Sequence, residues 1–199
     1  MRYIENTKQF QLKNTAVSLG KFEGMHKGHQ ALFARILESK ANGLVPVVFT
    51  FDFRLDRNMC RKQTILTKSE KISAFEKLGV DVVVDYPFDE SAKNMEAEEF
   101  IEKVLIGQMD AKQIVAGTDF CFGRGRRGNV ALLKEMEKKY GYELLIVEKL
   151  KYKEQEISST RIRECILAGN MEEANIMLGY PYRIEGKVMH GRKIGRTLG

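Results

Sequence analysis

The sequence predicts an α/β fold: a Rossmann-like, open parallel sheet of about five strands with helices on both faces. Two observations carry this expectation. Five short apolar runs, at 16–19, 45–51, 80–85, 113–116 and 144–147, have strand length and the continuous hydrophobicity of strands buried on both faces. Segments of helical period separate them, so consecutive strands are joined by crossovers and lie parallel. A chain of 199 residues with 43% hydrophobic and 30% charged side chains suffices for one well-buried domain.

The elements follow in order. The first strand leads into a helix at 30–41, with Leu32, Phe33, Ile36 and Leu37 at helical spacing. After strand 45–51, Thr67-Lys68-Ser69-Glu70 is a capping box that opens a helix through Leu78, and Gly79 ends it. Strand 80–85, a helix at 96–109, strand 113–116, a helix at 129–140 and strand 144–147 complete the alternation. Ser158 opens a further helix whose inner face holds Ile162, Ile166 and Leu167. Ligands of such sheets bind at the carboxyl edge of the strands. The turn at 20–29 and the loop at 117–128 both follow strands, so both open onto that edge.

Composition narrows the classes of function. The N-terminus lacks the apolar stretch of a signal peptide, and the longest apolar runs are too short to span a membrane. Cys60, Cys121 and Cys165 are widely separated singletons, which suits a reducing cytoplasm and argues against a disulfide framework. The net charge of +6 suits a polyanionic small substrate or a nucleic acid equally. No G-x-x-x-x-G-K-[ST] phosphate loop occurs. Nothing in the sequence reports the oligomeric state.

Gly20-Lys21-Phe22-Glu23-Gly24-Met25-His26-Lys27-Gly28-His29 is the most informative stretch. It places two of the chain's three histidines, His26 and His29, beside glycines at a strand-to-helix junction. A helix start offers unpaired N–H groups and the positive end of the dipole, and glycine lets a bulky anion approach the main chain. Both histidines would face that anion. Zinc is a second reading, though no further ligand cluster accompanies the pair. The third is a tight βα turn followed by solvated helix-start residues.

Two later segments carry comparable weight. Gly117-Thr118-Asp119-Phe120-Cys121-Phe122-Gly123-Arg124 runs into Gly125-Arg126-Arg127-Gly128, which satisfies G-x-G-x-x-G and is followed at a distance by the acidic Glu148. A dinucleotide-dependent oxidoreductase is therefore one reading, against which the glycines begin several residues after the strand and three arginines crowd the turn. A flexible basic loop is another. Together with Lys149, Lys151 and Lys153 the arginines also motivate a nucleic-acid-binding module, yet no aromatic-interleaved basic stripe accompanies them. In Ser158-Ser159-Thr160-Arg161-Ile162-Arg163, two serines, a threonine and an arginine at a helix start form a dense set of donors for phosphate oxygens.

These three motifs, in this order, resemble those of the nucleotidyltransferase domain of bacterial bifunctional riboflavin kinase/FAD synthetases, a branch of the His-x-Gly-His nucleotidyltransferase superfamily. The family's Gly-x-Phe-Asp-Gly-x-His-x-Gly-His is met with Glu23 in place of Asp. Gly-x-Asp-Phe-x-Phe-Gly is met at 117–123, and Ser-Ser-Thr-Arg-Ile-Arg is identical at 158–163. Leu66-Thr67 and Glu70-Lys71 also fit. The family's Thr-Phe-x-Pro-His-Pro departs: Thr50-Phe51 is kept, but both prolines and the histidine are lost around Phe53-Arg54-Leu55, which bears on flavin specificity and turnover.

The resemblance implies an FMN adenylyltransferase that moves AMP from ATP to FMN, releasing FAD and pyrophosphate. It implies catalytic roles for His26, His29 and Arg161. ATP would be held by Gly20, Phe22, Gly24, His26, His29, Ser158, Ser159, Thr160 and Arg161, and FMN by Asp119, Phe120, Phe122, Arg124 and Arg126. Mg²⁺ would be carried largely by the ATP phosphates, with few protein ligands and none assigned. Partners would be these substrates, with neither nucleic acid nor membrane, in the cytoplasm. Adenylyl or cytidylyl transfer to another phosphorylated small molecule is the alternative, because the histidine motif does not report the acceptor. Residues 1–180 would form the transferase domain and 181–199 the start of a truncated riboflavin kinase-like barrel. There, Tyr182-Arg183-Ile184-Glu185-Gly186-Lys187-Val188 alternates like a strand and 191–199 resembles the barrel's opening. The barrel's Pro-Thr-Ala-Asn motif is absent, so riboflavin kinase activity is not expected.

Overall fold

A computed structural model of the chain describes residues 1–52 and 64–187. In chain order the strands are β1 (Arg2–Glu5), β2 (Thr15–Leu19), β3 (Val45–Asp52), β4 (Val82–Pro87), β5 (Ala111–Gly117), β6 (Cys121–Phe122), β7 (Gly128–Asn129), β8 (Glu143–Val147), β9 (Lys151–Tyr152) and β10 (Gln155–Glu156). Six of them form one sheet in the order β1-β4-β3-β2-β5-β8, and every pairing within it is parallel. The short strands form two antiparallel hairpins, β6 with β7 and β9 with β10.

The helices are α1 (Lys27–Glu38), α2 (Lys68–Leu78), α3 (Glu90–Lys93), α4 (Ala97–Glu99), α5 (Val130–Tyr140), α6 (Ser159–Leu167) and α7 (Met171–Leu178). A π-helical stretch, Phe100–Gln108, continues α4 and ends where Met109 N–H donates to Val104 O at 3.0 Å. Successive side chains of each strand point to opposite faces of the sheet. Ala16, Val48, Val83 and Val115 pack under Leu32, Phe33 and Ile36 of α1 and Phe75 of α2. Val17, Val47, Val84 and Ile114 pack under Ile101, Val104 and Leu105 of the π-helical stretch and Leu133 of α5. Helices therefore cover both faces, as the unbroken apolar strands require. Each fully buried phenylalanine, Phe33, Phe49 and Phe75 among them, contributes roughly 1.5–3 kcal/mol over its exposed state.

The sheet has one strand more than the sequence predicts. In β1 only Ile4 is buried, and a four-residue edge strand with one inward side chain leaves no hydrophobic run to read. β4 begins at Val82 rather than Val80, because Val80 N–H donates to Phe75 O to close α2 after the left-handed Gly79 (φ +78°). The predicted capping box is present: Thr67 Oγ1 accepts from Glu70 N–H, and the Glu70 carboxylate accepts from Thr67 N–H at 2.7 Å. Leu167, expected on the inner face of α6, is 67% exposed; five residues past Ile162 it has rotated well off the face that buries Ile162 and Ile166.

The chain order fixes where the sheet can bind a ligand. From β2 the strands progress outward on one side through β3 and β4, and β5 then returns to the other side of β2. The connections reverse at β2 and β5, so the crevice lies beyond their carboxyl ends. Residues 181–187 have no regular secondary structure. Val188, the suggested barrel opening at 191–199, Cys60 and the divergent Phe53-Arg54-Leu55 lie outside the described residues.

Candidate active site

The turn that leaves β2 is built from side chains packed around its backbone. Phe22 (φ +49°) and Met25 (φ +45°) both adopt the left-handed conformation that residues with side chains seldom take. Phe22 is buried against Phe33, with ring centroids 4.8 Å apart, and meets Phe75 and His29 edge-on. The glycines make room for this packing. A Cβ on Gly20 would lie 2.9 Å from the Phe22 ring, one on Gly24 2.9 Å from Ile65 Cδ1, and one on Gly28 3.2 Å from the His26 ring.

His26 caps α1, its Nδ1 accepting from His29 N–H at 3.4 Å. The two imidazoles stack, with centroids 3.6 Å apart and planes 21° from parallel. Burial lowers the His26 pKa to about 4. His29 is held well below its ordinary value by burial first and then by His26 and Lys71 nearby. Both rings are therefore neutral at pH 7. Because Nδ1 of His26 accepts, its ring proton sits on Nε2, and the ring offers a neutral donor. Lys71 of α2 supports the turn from below: its Nζ donates to Lys21 O at 2.7 Å and Thr50 Oγ1 at 3.1 Å. Burial lowers its pKa to about 8, against the opposing pull of Asp85 and Glu23.

A cavity of about 520 Å³ occupies the crevice beyond β2 and β5. Gly20, Phe22, His26 and His29 line one side, Asp119, Phe120, Phe122 and Arg126 a second, and Ser158 and Ser159 at the start of α6 a third. The three motifs, far apart in sequence, thus meet at one site. Four further aromatic side chains line it: Phe51, Tyr86, Phe88 and Phe100. Phe120 and Phe122 are nearly parallel at 5.4 Å, Phe122 lies 5.6 Å from Phe100, and Phe51 meets Phe88 edge-on at 5.2 Å. Polar groups stand at the rim, where Lys149 pairs with Asp119 at 3.0 Å and with Glu156 at 2.6 Å.

Four of the expected site residues are not on this wall. Gly24 packs against Ile65 and Leu178. Thr160 is exposed, and Arg124 pairs with Glu96 at 3.2 Å. Arg161 turns to the β9–β10 hairpin, donating to Tyr152 O at 2.9 Å and Gln155 O at 3.2 Å with its guanidinium over the Tyr152 ring. Ser158 caps α6 by accepting from Arg161 N–H.

The G-x-G-x-x-G match has a packing explanation. Gly123 (φ +69°) would carry a Cβ 2.7 Å from Ala97 Cα, and a Cβ on Gly128 would meet the Phe122 ring at 2.7 Å. The helix after it is α5, capped by Asn129, so the glycines shape a hairpin instead of a strand-to-helix pyrophosphate turn. The basic row is partly neutralised too, since Lys149 and Lys153 are ion-paired. Among the described residues no three His, Cys, Asp or Glu side chains are placed to hold a metal, Cys121 and Cys165 are free, and no helix is long and apolar enough to cross a membrane.

Residues 8–161 match the model of the FAD synthetase family. The bifunctional riboflavin kinase/FMN adenylyltransferase of Buchnera aphidicola subsp. Schizaphis graminum is 38% identical over 206 residues, covering 100% of this chain and 65% of that protein. Its namesakes from Haemophilus influenzae and Escherichia coli K12 are 36% and 31% identical, covering 94% and 100% of this chain and 62% and 65% of their own lengths. The chain thus spans just under two thirds of these curated relatives. Among solved structures, one described as a macrolide-efflux protein from Streptococcus pneumoniae superposes with a TM-score of 0.83 at 33% identity, over 98% of this chain and 65% of that one. A pantoate-beta-alanine ligase from Francisella tularensis, TM-score 0.52 at 14% identity over 87% of this chain and 78% of that one, shares the fold.

Proposed function

The chain belongs to the FAD synthetase family, and from that premise we propose that it transfers the adenylyl group of ATP to FMN. The observation that carries this reading is the single cavity shared by the histidine turn, the stacked Phe120–Phe122 wall and the start of α6. A phosphate oxygen of FMN attacks the α-phosphorus of ATP; the bond from that phosphorus to the bridging oxygen breaks and pyrophosphate leaves. The nucleophile is already anionic, so no protein nucleophile is needed. The site must align the two phosphates and stabilise the charge that builds on the transferring group.

In this reading the neutral donors of His26 and His29, with the positive end of α1, face the oxygens around the α-phosphorus. Ser158 and Ser159 at the start of α6 hold the outer phosphates. Phe51, Phe88, Phe120 and Phe122 enclose the flavin ring, whose flat apolar area suits an aromatic wall, while Arg126 and the Lys149–Asp119 pair take its ribityl phosphate. Arg161 acts from behind by fixing the hairpin beside the serines. Asp119 and Glu148 on the cavity wall offer carboxylate oxygens to Mg²⁺, which would arrive largely on the nucleotide. That ion would neutralise phosphate charge. ATP and FMN are thus the proposed partners, in the cytoplasm, with no nucleic acid; the free thiols and the paired lysines support this.

The test is incubation with ATP, Mg²⁺ and FMN, following FAD and pyrophosphate by chromatography, with a panel of other phosphorylated acceptors in parallel. Stoichiometric FAD and pyrophosphate are expected. Product from a different acceptor, with none from FMN, overturns the assignment of substrate.

A further inference from the structure

Residues 162–187 lie beyond the stretch that the family model matches, yet they reach back to the histidine turn. The Tyr180 hydroxyl donates to Gly24 O at 2.8 Å. Gln30 Nε2 donates to both Met25 O and Leu178 O, each at 2.9 Å, which ties the end of α7 to the same turn. The end of α7 is pressed onto the first turn of α1: a Cβ on Gly179 (φ +82°) would lie 3.1 Å from Lys27 Cγ. The carbonyls of Gly24 and Met25 belong to the two peptide units that lead into His26. Between them Met25 holds its left-handed backbone, a conformation that persists only where the surroundings enforce it. Burial pushes the Tyr180 phenol up to about 12, so its hydroxyl stays a donor throughout the working pH range.

We propose that Tyr180 is a positioning residue for adenylyl transfer: by fixing the Gly24 carbonyl it sets the Met25 backbone, and with it the placement of the His26–His29 ring stack against the nucleotide. This rests on the reading of the site as an FMN adenylyltransferase centre. The competing role is a plain staple, in which the hydroxyl only fastens the last helix. The two differ in what the hydroxyl's loss does to the imidazoles.

The test uses the full chain with Tyr180→Phe, which removes one hydroxyl and keeps the partly buried ring that packs against the two hydrophobic clusters on this side of the sheet. FAD formation should fall in kcat by about tenfold with little change in the FMN KM, the loss expected when one buried hydrogen bond that shapes a catalytic turn is removed. In a His29→Ala background the same change should cost less than it does in the wild type, because part of its effect acts through that ring. The chain has three histidines, so their imidazole NMR signals are assignable by substitution. Those of His26 and His29 should move in Tyr180→Phe. A lowered melting temperature with unchanged kcat and unchanged imidazole signals makes Tyr180 a staple and overturns the proposal. If the wild-type chain makes no FAD, the reading of the site fails by itself, and the imidazole signals alone decide Tyr180: no movement refutes its hold on the histidines.

Discussion

Arg163 Nη2 lies 2.7 Å from Glu23 Oε1, so the last arginine of the 158–163 segment holds the one position at which the histidine turn departs from its family pattern. The side chains are 22% and 24% exposed, which leaves the pair partly shielded from water. Glu23 thus ties the turn that leads into α1 to the first turn of α6.

Breaking that tie should loosen both helix starts at once. Glu23→Gln is expected to lower kcat/KM for FAD formation by about fivefold, on the order of 1 kcal/mol for a half-shielded pair. Reversing the pair as Glu23→Arg with Arg163→Glu should recover part of the loss. Steady-state kinetics on the single and double variants checks this, and a double variant no better than the worse single one refutes the tie.

His29→Ala removes a ring wedged between His26 and Phe22. If that ring stabilises charge appearing chiefly in the transition state, kcat should fall by about 10²- to 10³-fold with a smaller change in nucleotide KM. Lost packing should also lower the melting temperature by several degrees, since removing a buried ring leaves a cavity. Near-normal FAD formation by a folded variant would remove His29 from the mechanism.

Burial of His26 as a neutral ring makes stability depend on pH. Its pKa is about 4 in the folded chain against 6.5 when exposed. Between these values the unfolded chain binds a proton that the folded chain refuses, so stability falls as pH drops from 6.5 towards 4, by at most about 3 kcal/mol from this group. Above pH 6.5 the group contributes no pH dependence. His26→Asn keeps a capping side chain and removes the titration, so urea unfolding between pH 7 and pH 4.5 should show a shallower acid loss than in the wild type. Parallel curves would show that the proton burden lies elsewhere.

The parts of this protein legible in sequence are those set by local chemistry. Unbroken apolar strands, the Thr67–Glu70 capping box and the glycine left-handed at position 79 each declare themselves within a few residues. The aromatic wall does not. Phe51 and Tyr86 come together only because β3 and β4 pair in that register, and Phe88 and Phe100 join through the connections that follow. In sequence each reads as ordinary core; the kept Thr50-Phe51 pair was the one signal that Phe51 belonged to the site. Gly24 misleads in the opposite direction. Its absent side chain admits Ile65, a contact across the fold that no spacing rule reports.

The two arginines that the sequence assigned alike to FMN part company in the fold. Arg126 lines the cavity, whereas Arg124 is held by Glu96 away from it. Arg126→Gln should therefore raise the FMN KM by about tenfold, the cost of one charge-assisted bond to phosphate, while Arg124→Gln should leave it within about twofold. Equal effects from the two would mean that the loop rearranges around the flavin.

Arg161 separates a grip on phosphate from support of the wall. Its guanidinium is spent on the carbonyls of Tyr152 and Gln155, which fastens the β9–β10 hairpin between Leu150 and Ile157, both of them on the cavity wall. Arg161→Lys retains the charge but loses the planar fork that spans two carbonyls. The expected result is a stability loss of about 1–2 kcal/mol in urea unfolding with a modest rise, about threefold, in the ATP KM and none in the FMN KM. A direct grip on the triphosphate gives the opposite pattern: ATP affinity falls by about a hundredfold or more while the unfolding midpoint stays put. Calorimetric titration of both proteins with ATP, run beside the unfolding curves, decides between them, because a hairpin clamp must register in stability before it registers in binding.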